Sequence, residues 1–277
     1  MRKHRPVLVL LALLCCSVSH GQQTNPTAPP VAATLPSKDR LHIYLLMGQS
    51  NMAGRGALSP QPDNPRVLAL NADGQWVVAR DPLHQKDGRT EPGTGPGMSF
   101  ALEMLKTDPK IAIGLVPCAV GGTPLKRWQK WGGDLYERAV TRAKLAAQSG
   151  EIKGALWLQG ESDSDKQPWA ERYEGGLSQM LKDLRDDLGQ PNLPIVVGQI
   201  GEFLPPDKHP YADTVRAAIK AIPGKVPKVG YADSAGLKDK GDKLHYDAES
   251  AKEMGVRFAK AMQALTEKAH GGAAAKP

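Results

Sequence analysis

The chain has 277 residues, 23 % of them charged, and a formal net charge of +7. Three of those charges are Arg2, Lys3 and Arg5, which leaves +4 for the remainder. With no Lys/Arg run interleaved with aromatic residues, that mild charge gives no support to a nucleic-acid or membrane-surface role.

Residues 1–21 read as an export signal: a positive start, an apolar run from Val7 to Val18 too short to span a bilayer comfortably, and small residues Ser17, Ser19 and Gly21 that offer cleavage sites. The expected location is therefore secreted or periplasmic, with a mature chain starting near Gln22. A signal-anchor is the alternative. Cys15 and Cys16 raise a lipoprotein reading, but Leu13 and Leu14 before them are not the small residues such a site favours. Once the signal is removed Cys118 is the single cysteine, so no intramolecular disulfide can form and stability must come from packing. Residues 22–39, rich in Pro, Ala, Thr and Gln, read as a disordered tether. Residues 40–267 are the size of one α/β domain, and 268–277 read as a disordered tail.

Within that domain, apolar runs rich in Val, Ile and Leu recur at Leu41 to Met47, Ile111 to Val116, Ala155 to Leu158, Ile195 to Ile200 and Val229 to Ala232. Their length and poor alternation fit strands covered on both faces. Helical spacing separates them over Met98 to Lys106, Leu135 to Ala147, Ala170 to Leu188, Tyr211 to Ala221 and Ala248 to Leu265. Alternating strands and helices predict a mainly parallel five-stranded sheet between helix layers. In such a sheet ligands gather at the carboxyl ends of the strands. Ser50 follows the first run, Gly121 and Gly122 the second, Gln159 to Glu161 the third, and Asp242 with His245 the last.

A serine hydroxyl attacks a carbonyl only with a base in hydrogen-bond reach and a group to orient that base. Ser50 sits where the run LHIYLLM breaks at Gly48 into a small-residue turn. His245 in GDKLHYD is the candidate base, and Asp242, three residues earlier, can fix its tautomer. A lone D-x-x-H more often marks a surface turn, so the weight lies in its pairing with the Ser50 context. An oxyanion needs fixed donors; Gly121 and Gly122, the Ser50 amide and the Gln159 side chain are the candidates. Glu161 is a second carboxylate near the site, either an alternative orienter of His245 or a holder of the Gln159 loop, while Asp163 and Asp165 resemble the start of the next helix.

The blocks GQSN at Ser50, GGT at Gly121 to Thr123, QGESD at Gln159 to Asp163 and DxxH at Asp242 to His245 resemble the SGNH/GDSL hydrolases. More narrowly they are similar to the sialate O-acetylesterase domain and carbohydrate esterase family six, which includes acetylxylan esterases. GPGMSFA at Gly95 to Ala101 also fits. The resemblance implies a three-layer flavodoxin-like fold and no metal or other cofactor. It assigns catalysis to Ser50 and His245, supported by Asp242 and Glu161, with oxyanion donors at Ser50, Gly122 and Gln159. Gln159 replaces the asparagine of many superfamily members, as it does in the narrower family. Gln49, Asn51 and Trp128 are candidate substrate contacts; Trp128 and, less so, Trp131 could stack on a sugar ring.

The expected activity is hydrolysis of acetyl esters on carbohydrate through an acyl-enzyme on Ser50, with acetylated carbohydrate as the partner. A non-catalytic carbohydrate-binding protein on the same fold and an esterase for other small acyl esters are the alternatives. The absence of H-E-x-x-H and of a Walker-type G-K-[ST] argues against a metal-dependent phosphatase or a nucleotide site.

Overall fold

A computed structural model describes residues 31–271 except 33, 87 and 89, with side chains to residue 267. The expected export signal and residues 272–277 of the expected tail lie outside the described residues. Of the expected tether only part of 31–39 is described; there Val31 bridges Val77 and the Ala32 N–H donates to the Trp76 carbonyl at 2.9 Å. Among the described residues no helix is long and apolar enough to cross a membrane.

The strand Leu41–Gly48 (β1) is buried along almost its whole length, as an apolar run must be when helices cover both faces of a sheet. Its side chains alternate between two cores. Leu41, Ile43, Leu45 and Met47 enter one, with Leu135 and Tyr136 of helix Asp134–Ala146 (α3), Tyr173, Leu177 and Leu181 of Gln167–Asp187 (α4), and Val215 and Ile219 of Ala212–Lys225 (α5). Tyr44 and Leu46 enter the other, with Met98 and Phe100 of Gly97–Met104 (α2) and Met254, Phe258 and Met262 of Ala248–Gly271 (α6). A two-residue period therefore builds a three-layer α/β/α sandwich around β1. Against Tyr44 the Phe100 ring packs edge-on, with centroids 4.9 Å apart.

The sheet has seven strands in the order β3-β2-β4-β1-β5-β6-β7, where β2 is Val67–Leu70, β3 Trp76–Val78, β4 Ala112–Pro117, β5 Glu151–Leu158, β6 Ile195–Gly198 and β7 Val229–Ala232. All pairings are parallel except β2 with β3. The five expected strands are all present. The expectation of five is corrected to seven by the hairpin β2–β3, whose short runs are joined by a tight turn and not separated by a helical segment as the expected strands are. Its turn is nevertheless built from ordinary turn chemistry: the Gln75 N–H donates to the Asn71 Oδ1 at 2.8 Å, and Gly74 has φ 76°.

β1 lies between β4 and β5, so the loops that carry Ser50, Gly122 and Glu161 leave three adjacent strands at one edge. At the end of β1 the chain turns at Gly48, with φ 129°, so close to β5 that an added Cβ would stand 2.1 Å from the Leu158 carbonyl oxygen. Glycine alone combines that dihedral with that approach. The next residues form a single helical turn, Ser50–Ala53 (α1). Gly48→Ala is accordingly expected to cost on the order of 1–3 kcal/mol from the backbone conformation, with the clash added. Urea unfolding measures the loss.

Candidate active site

Asp242, Lys243, Leu244 and His245 lie in the loop between β7 and α6. One carboxylate organises it: Oδ1 of Asp242 accepts the backbone N–H groups of Leu244 and His245 at 3.0 and 2.8 Å, and Oδ2 lies 2.8 Å from the His245 Nδ1. Lys243 adopts φ 56° to close this turn. With Nδ1 carrying its hydrogen toward Asp242, Nε2 is the acceptor, and it stands 3.0 Å from the Ser50 Oγ. Hydroxyl, imidazole and carboxylate thus form one connected chain, the arrangement required for a serine to lose its proton as it attacks.

The surroundings suit that task. Burial lowers the His245 pKa below the usual 6.5, against the opposing pull of Asp242, and the positive charges of Arg55 and Lys240 add to the lowering. The ring is therefore neutral, and able to take a proton, at neutral pH. For Asp242 burial acts to raise the pKa, but the bonds from the His245 amide and ring and the Leu244 amide outweigh it and hold the carboxyl at about 2. It stays ionised wherever His245 is neutral.

The loop bearing His245 leaves β7, three strands from β1, and must be brought back across the sheet edge. Asn51, beside Ser50, does this. Its Nδ2 donates to the Leu244 carbonyl at 3.1 Å and its Oδ1 accepts the Tyr246 N–H at 3.0 Å, so one side chain grips the backbone on both sides of His245. The Tyr246 hydroxyl adds a bond to the Gln199 carbonyl at 2.9 Å. Glu161 orients the grip, its Oε1 accepting from the Asn51 Nδ2 at 2.5 Å. Glu161 is 1 % exposed, and burial raises its pKa. Its hydrogen-bonded partner is Asn51, while the Nδ1 of His245 is taken by Asp242.

Gln159 and Gln49 are both fully buried. The Gln159 Nε2 faces three acceptors within the protein: Asp163 Oδ2 at 2.6 Å, and Gln49 Oε1 and the Thr123 carbonyl at 3.0 Å each. An amide nitrogen has two hydrogens, so both are engaged. Asp163 also accepts the Leu125 N–H at 2.9 Å. It therefore does not begin the next helix, as sequence spacing suggested; it lies in the 3-10 turn Glu161–Asp163 and ties the loop after β5 to the loop after β4. Burial pushes its pKa up to about 6. Asp165 contacts the His209 Nδ1 at 2.8 Å instead. The one sequence signal that could have singled out Asp163 is its place two residues after Glu161 in a loop that also carries Gln159.

Gly122, in the loop after β4, has φ 65° and no atom within 4 Å of the place a side chain would take. The expected substrate contacts are placed differently. Asn51 and Gln49 are 2 % exposed and spend the polar atoms just described on neighbouring loops. Trp128 is wholly buried, its Nε1–H donated to the Thr123 Oγ1 at 3.2 Å and its ring edge-on to Trp157. A sugar cannot stack on it. Trp131 is the exposed member of the pair, at 86 %. Among the described residues no group of three or more His, Cys, Asp or Glu side chains is placed to hold a metal ion.

Leaving Asn51 out would free Glu161, the Leu244 carbonyl and the Tyr246 amide at once, each a buried group costing about 1–3 kcal/mol when unpaired. Asn51→Ala is expected to lower the unfolding free energy by at least that amount. Asn51→Asp should do worse as pH rises, since ionisation then sets two carboxylates side by side; thermal melts between pH 4 and 8 check the sign.

A family model described as carbohydrate esterase, sialic acid-specific acetylesterase, matches residues 40–264. A probable carbohydrate esterase of Arabidopsis thaliana is 38 % identical over 254 residues, 84 % of this chain and 93 % of that protein. A crystal structure of an Arabidopsis thaliana protein aligns with a TM-score of 0.74 at 37 % identity, covering 83 % of this chain and 99 % of that one. At the level of fold alone, NanS aligns with a TM-score of 0.62 at 17 % identity over 84 % of this chain and all of its own. A carbohydrate acetylesterase of Xanthomonas citri gives 0.60 at 19 %, over 82 % of this chain and 57 % of that one. This chain belongs to the sialic acid-specific acetylesterase family of carbohydrate esterases.

Proposed function

We propose that the chain is a secreted or periplasmic serine esterase that removes O-acetyl groups from carbohydrate. The observation that carries this reading is the unbroken path Ser50 Oγ, His245 Nε2, His245 Nδ1, Asp242 Oδ2, with links of 3.0 and 2.8 Å. The Ser50 hydroxyl attacks the acetyl carbonyl while its proton passes to Nε2, and Asp242 stabilises the imidazolium that forms. The carbonyl oxygen becomes an oxyanion, met by the backbone N–H groups of Ser50 and Gly122. Gln159 supports the site by fixing Gln49 and the loop that ends at Thr123.

Collapse of the tetrahedral adduct breaks the ester bond. The sugar oxygen takes the proton from Nε2 and leaves, and the acetyl group remains on the Ser50 Oγ. A water, deprotonated by the same nitrogen, then attacks the acetyl carbonyl; acetate departs and Ser50 recovers its proton. The substrate class rests on membership of the carbohydrate esterase family, and the export on residues 1–21.

Ser50→Ala is expected to lower kcat on 4-nitrophenyl acetate by about 10⁶-fold, the loss typical of removing a serine nucleophile, and to abolish acetate release from acetylated xylan and O-acetylated sialosides. Full activity in that variant ends the reading. Mass spectrometry after rapid quenching should find an added acetyl group on the peptide containing Ser50.

The acid limb of the pH–rate profile should report His245. The base must be neutral to work, so activity falls as pH drops through its pKa, and burial sets that midpoint below 6.5. Asp242 raises the His245 pKa, so Asp242→Asn should move the limb to still lower pH while cutting kcat by about 10³–10⁴-fold. A limb that moves upward contradicts the assignment of Asp242.

A further inference from the structure

A second cavity lies at the same edge of the sheet, between the β2–β3 hairpin, the N-terminal half of α3 and the loop 80–86. Its volume is about 960 Å³, and none of Ser50, Gly122, Asp242 or His245 lines it. That volume is at the upper end of the range for small-molecule sites. One wall is the segment Pro117 to Val120, whose other side is bonded to β1, the Val120 N–H donating to the Gly48 carbonyl at 3.1 Å.

The lining is strongly cationic. Arg80, Lys86, Arg138 and Arg142 face Asp134 and Glu137. Arg80 is held by Asp63, Lys86 by Glu91, and Asp134 by Arg127. Among the described residues no carboxylate lies within ion-pair distance of Arg138 or Arg142. The Arg142 guanidinium donates to the neutral carbonyls of Leu70 and Asn71 at 2.7 and 3.2 Å and bonds the Cys118 thiol, so its charge is not cancelled. Two guanidinium groups, against Glu137 as the single lining carboxylate left unpaired among the described residues, thus leave a positive surplus at one cavity, where planar donor forks suit a carboxylate.

His84 supplies an independent observation. It lines the cavity at 6 % exposure, and beyond a contact with the Leu46 carbonyl its ring nitrogens have no hydrogen-bond partner among the described residues. Burial holds its pKa down to about 3, with the positive charge of Arg142 adding to the effect. With its N–H toward the Leu46 carbonyl, the neutral ring keeps one acceptor nitrogen without a partner, which a buried site rarely leaves unused. Leu70, Val77 and Leu83 add apolar surface, and Asn71 and Gln85 add amides. Carboxylate-binding cations, a neutral acceptor, and apolar patches together match a sugar acid: one anionic group, hydroxyls, and C–H faces.

We infer that this cavity is a second binding site, separate from the catalytic residues, for a carboxylate-bearing sugar, with Arg138 and Arg142 holding the carboxylate and His84 a hydroxyl. The site does not depend on the esterase reading, and its ligand is either a free sugar acid or a uronate residue within a glycan chain.

Calorimetric titration of the intact chain carrying Ser50→Ala tests it, since any substrate turnover is then removed. Glucuronate and a galacturonate tetramer are the probes, and glucose is the neutral control. At least one uronate probe should bind saturably and glucose at least tenfold more weakly; the monomer binding assigns a free sugar acid, the tetramer alone a chain residue. Arg138 is exposed on α3, so Arg138→Gln should fold normally, weaken uronate binding by tenfold or more, and, with Ser50 intact, leave hydrolysis of 4-nitrophenyl acetate unchanged. The ring resonances of His84 should shift during the titration. Absence of saturable uronate binding, equal binding of glucose, unaltered affinity in Arg138→Gln, or loss of 4-nitrophenyl acetate hydrolysis in that variant would each overturn the proposal. None of these results bears on Ser50, whose role is judged separately by the activity of Ser50→Ala.

Discussion

A single amide side chain decides whether Ser50 and His245 meet. Ser50 and His245 are separated by 195 positions, and the strands that deliver them stand three apart in the sheet. Asn51 is bonded covalently to Ser50 and by hydrogen bonds to the residues on both sides of His245. The relative position of hydroxyl and imidazole is therefore set by a closed ring of short links and not by the reach of two long loops. Glu161 completes the constraint from beneath, because a carboxylate oxygen accepts only from the NH2 end of the amide and so fixes which way Asn51 faces. Buried polar networks of this kind are valuable when every member is paired and costly when one is not.

The four carboxylates around the site show how burial sorts one chemical group into different tasks. Asp242 receives three hydrogen bonds and keeps its charge down to low pH, which suits a partner for imidazolium. Glu161 and Asp163 lie deeper, where burial outweighs the donors around them, and both are shifted upward. They act as braces, one on the His245 loop through Asn51 and the other on the loop after β4 through the Leu125 amide. Asp165, nearer to solvent, pairs with His209 and touches none of these groups. Distance from water and the number of donors explain the division without reference to sequence order.

The segment that follows β4 serves two neighbours. On one side it hydrogen-bonds β1 through Val120 and Gly48 and continues to Gly122; on the other it walls the cationic cavity. The uncancelled charges there, Arg138 and Arg142, belong to α3, an element that contributes nothing to the Ser50, His245 and Asp242 chain. Acetyl transfer needs a neutral base and fixed amide donors, whereas capture of a sugar acid needs uncompensated cations. Keeping those cations in a separate cavity leaves the neutral state of His245 affected chiefly by burial and its own carboxylate.

The alternation of apolar runs and helical stripes, each tied to one segment, determined the three-layer class, five of the parallel strands and the edge at which Ser50, Gly122, Gln159, Asp242 and His245 gather. These are properties of local period and of where a run stops, and they can be read without knowing what packs against what. The hairpin β2–β3 escaped because a turn, and no helical stripe, separates its two short runs, and its stability comes from pairing with β4 and from the Asn71 turn. Likewise, the tasks of the polar residues were not local. Asn51, Gln159, Glu161 and Asp163 are all short-range neighbours of candidate residues, yet what each does depends on an acceptor or donor from a distant loop. Trp128 and Trp131 are three positions apart, and only the sheet's neighbours decided that the first is core and the second faces water. Burial and hydrogen-bond partnership are relations between segments, and the tertiary fold alone supplies them.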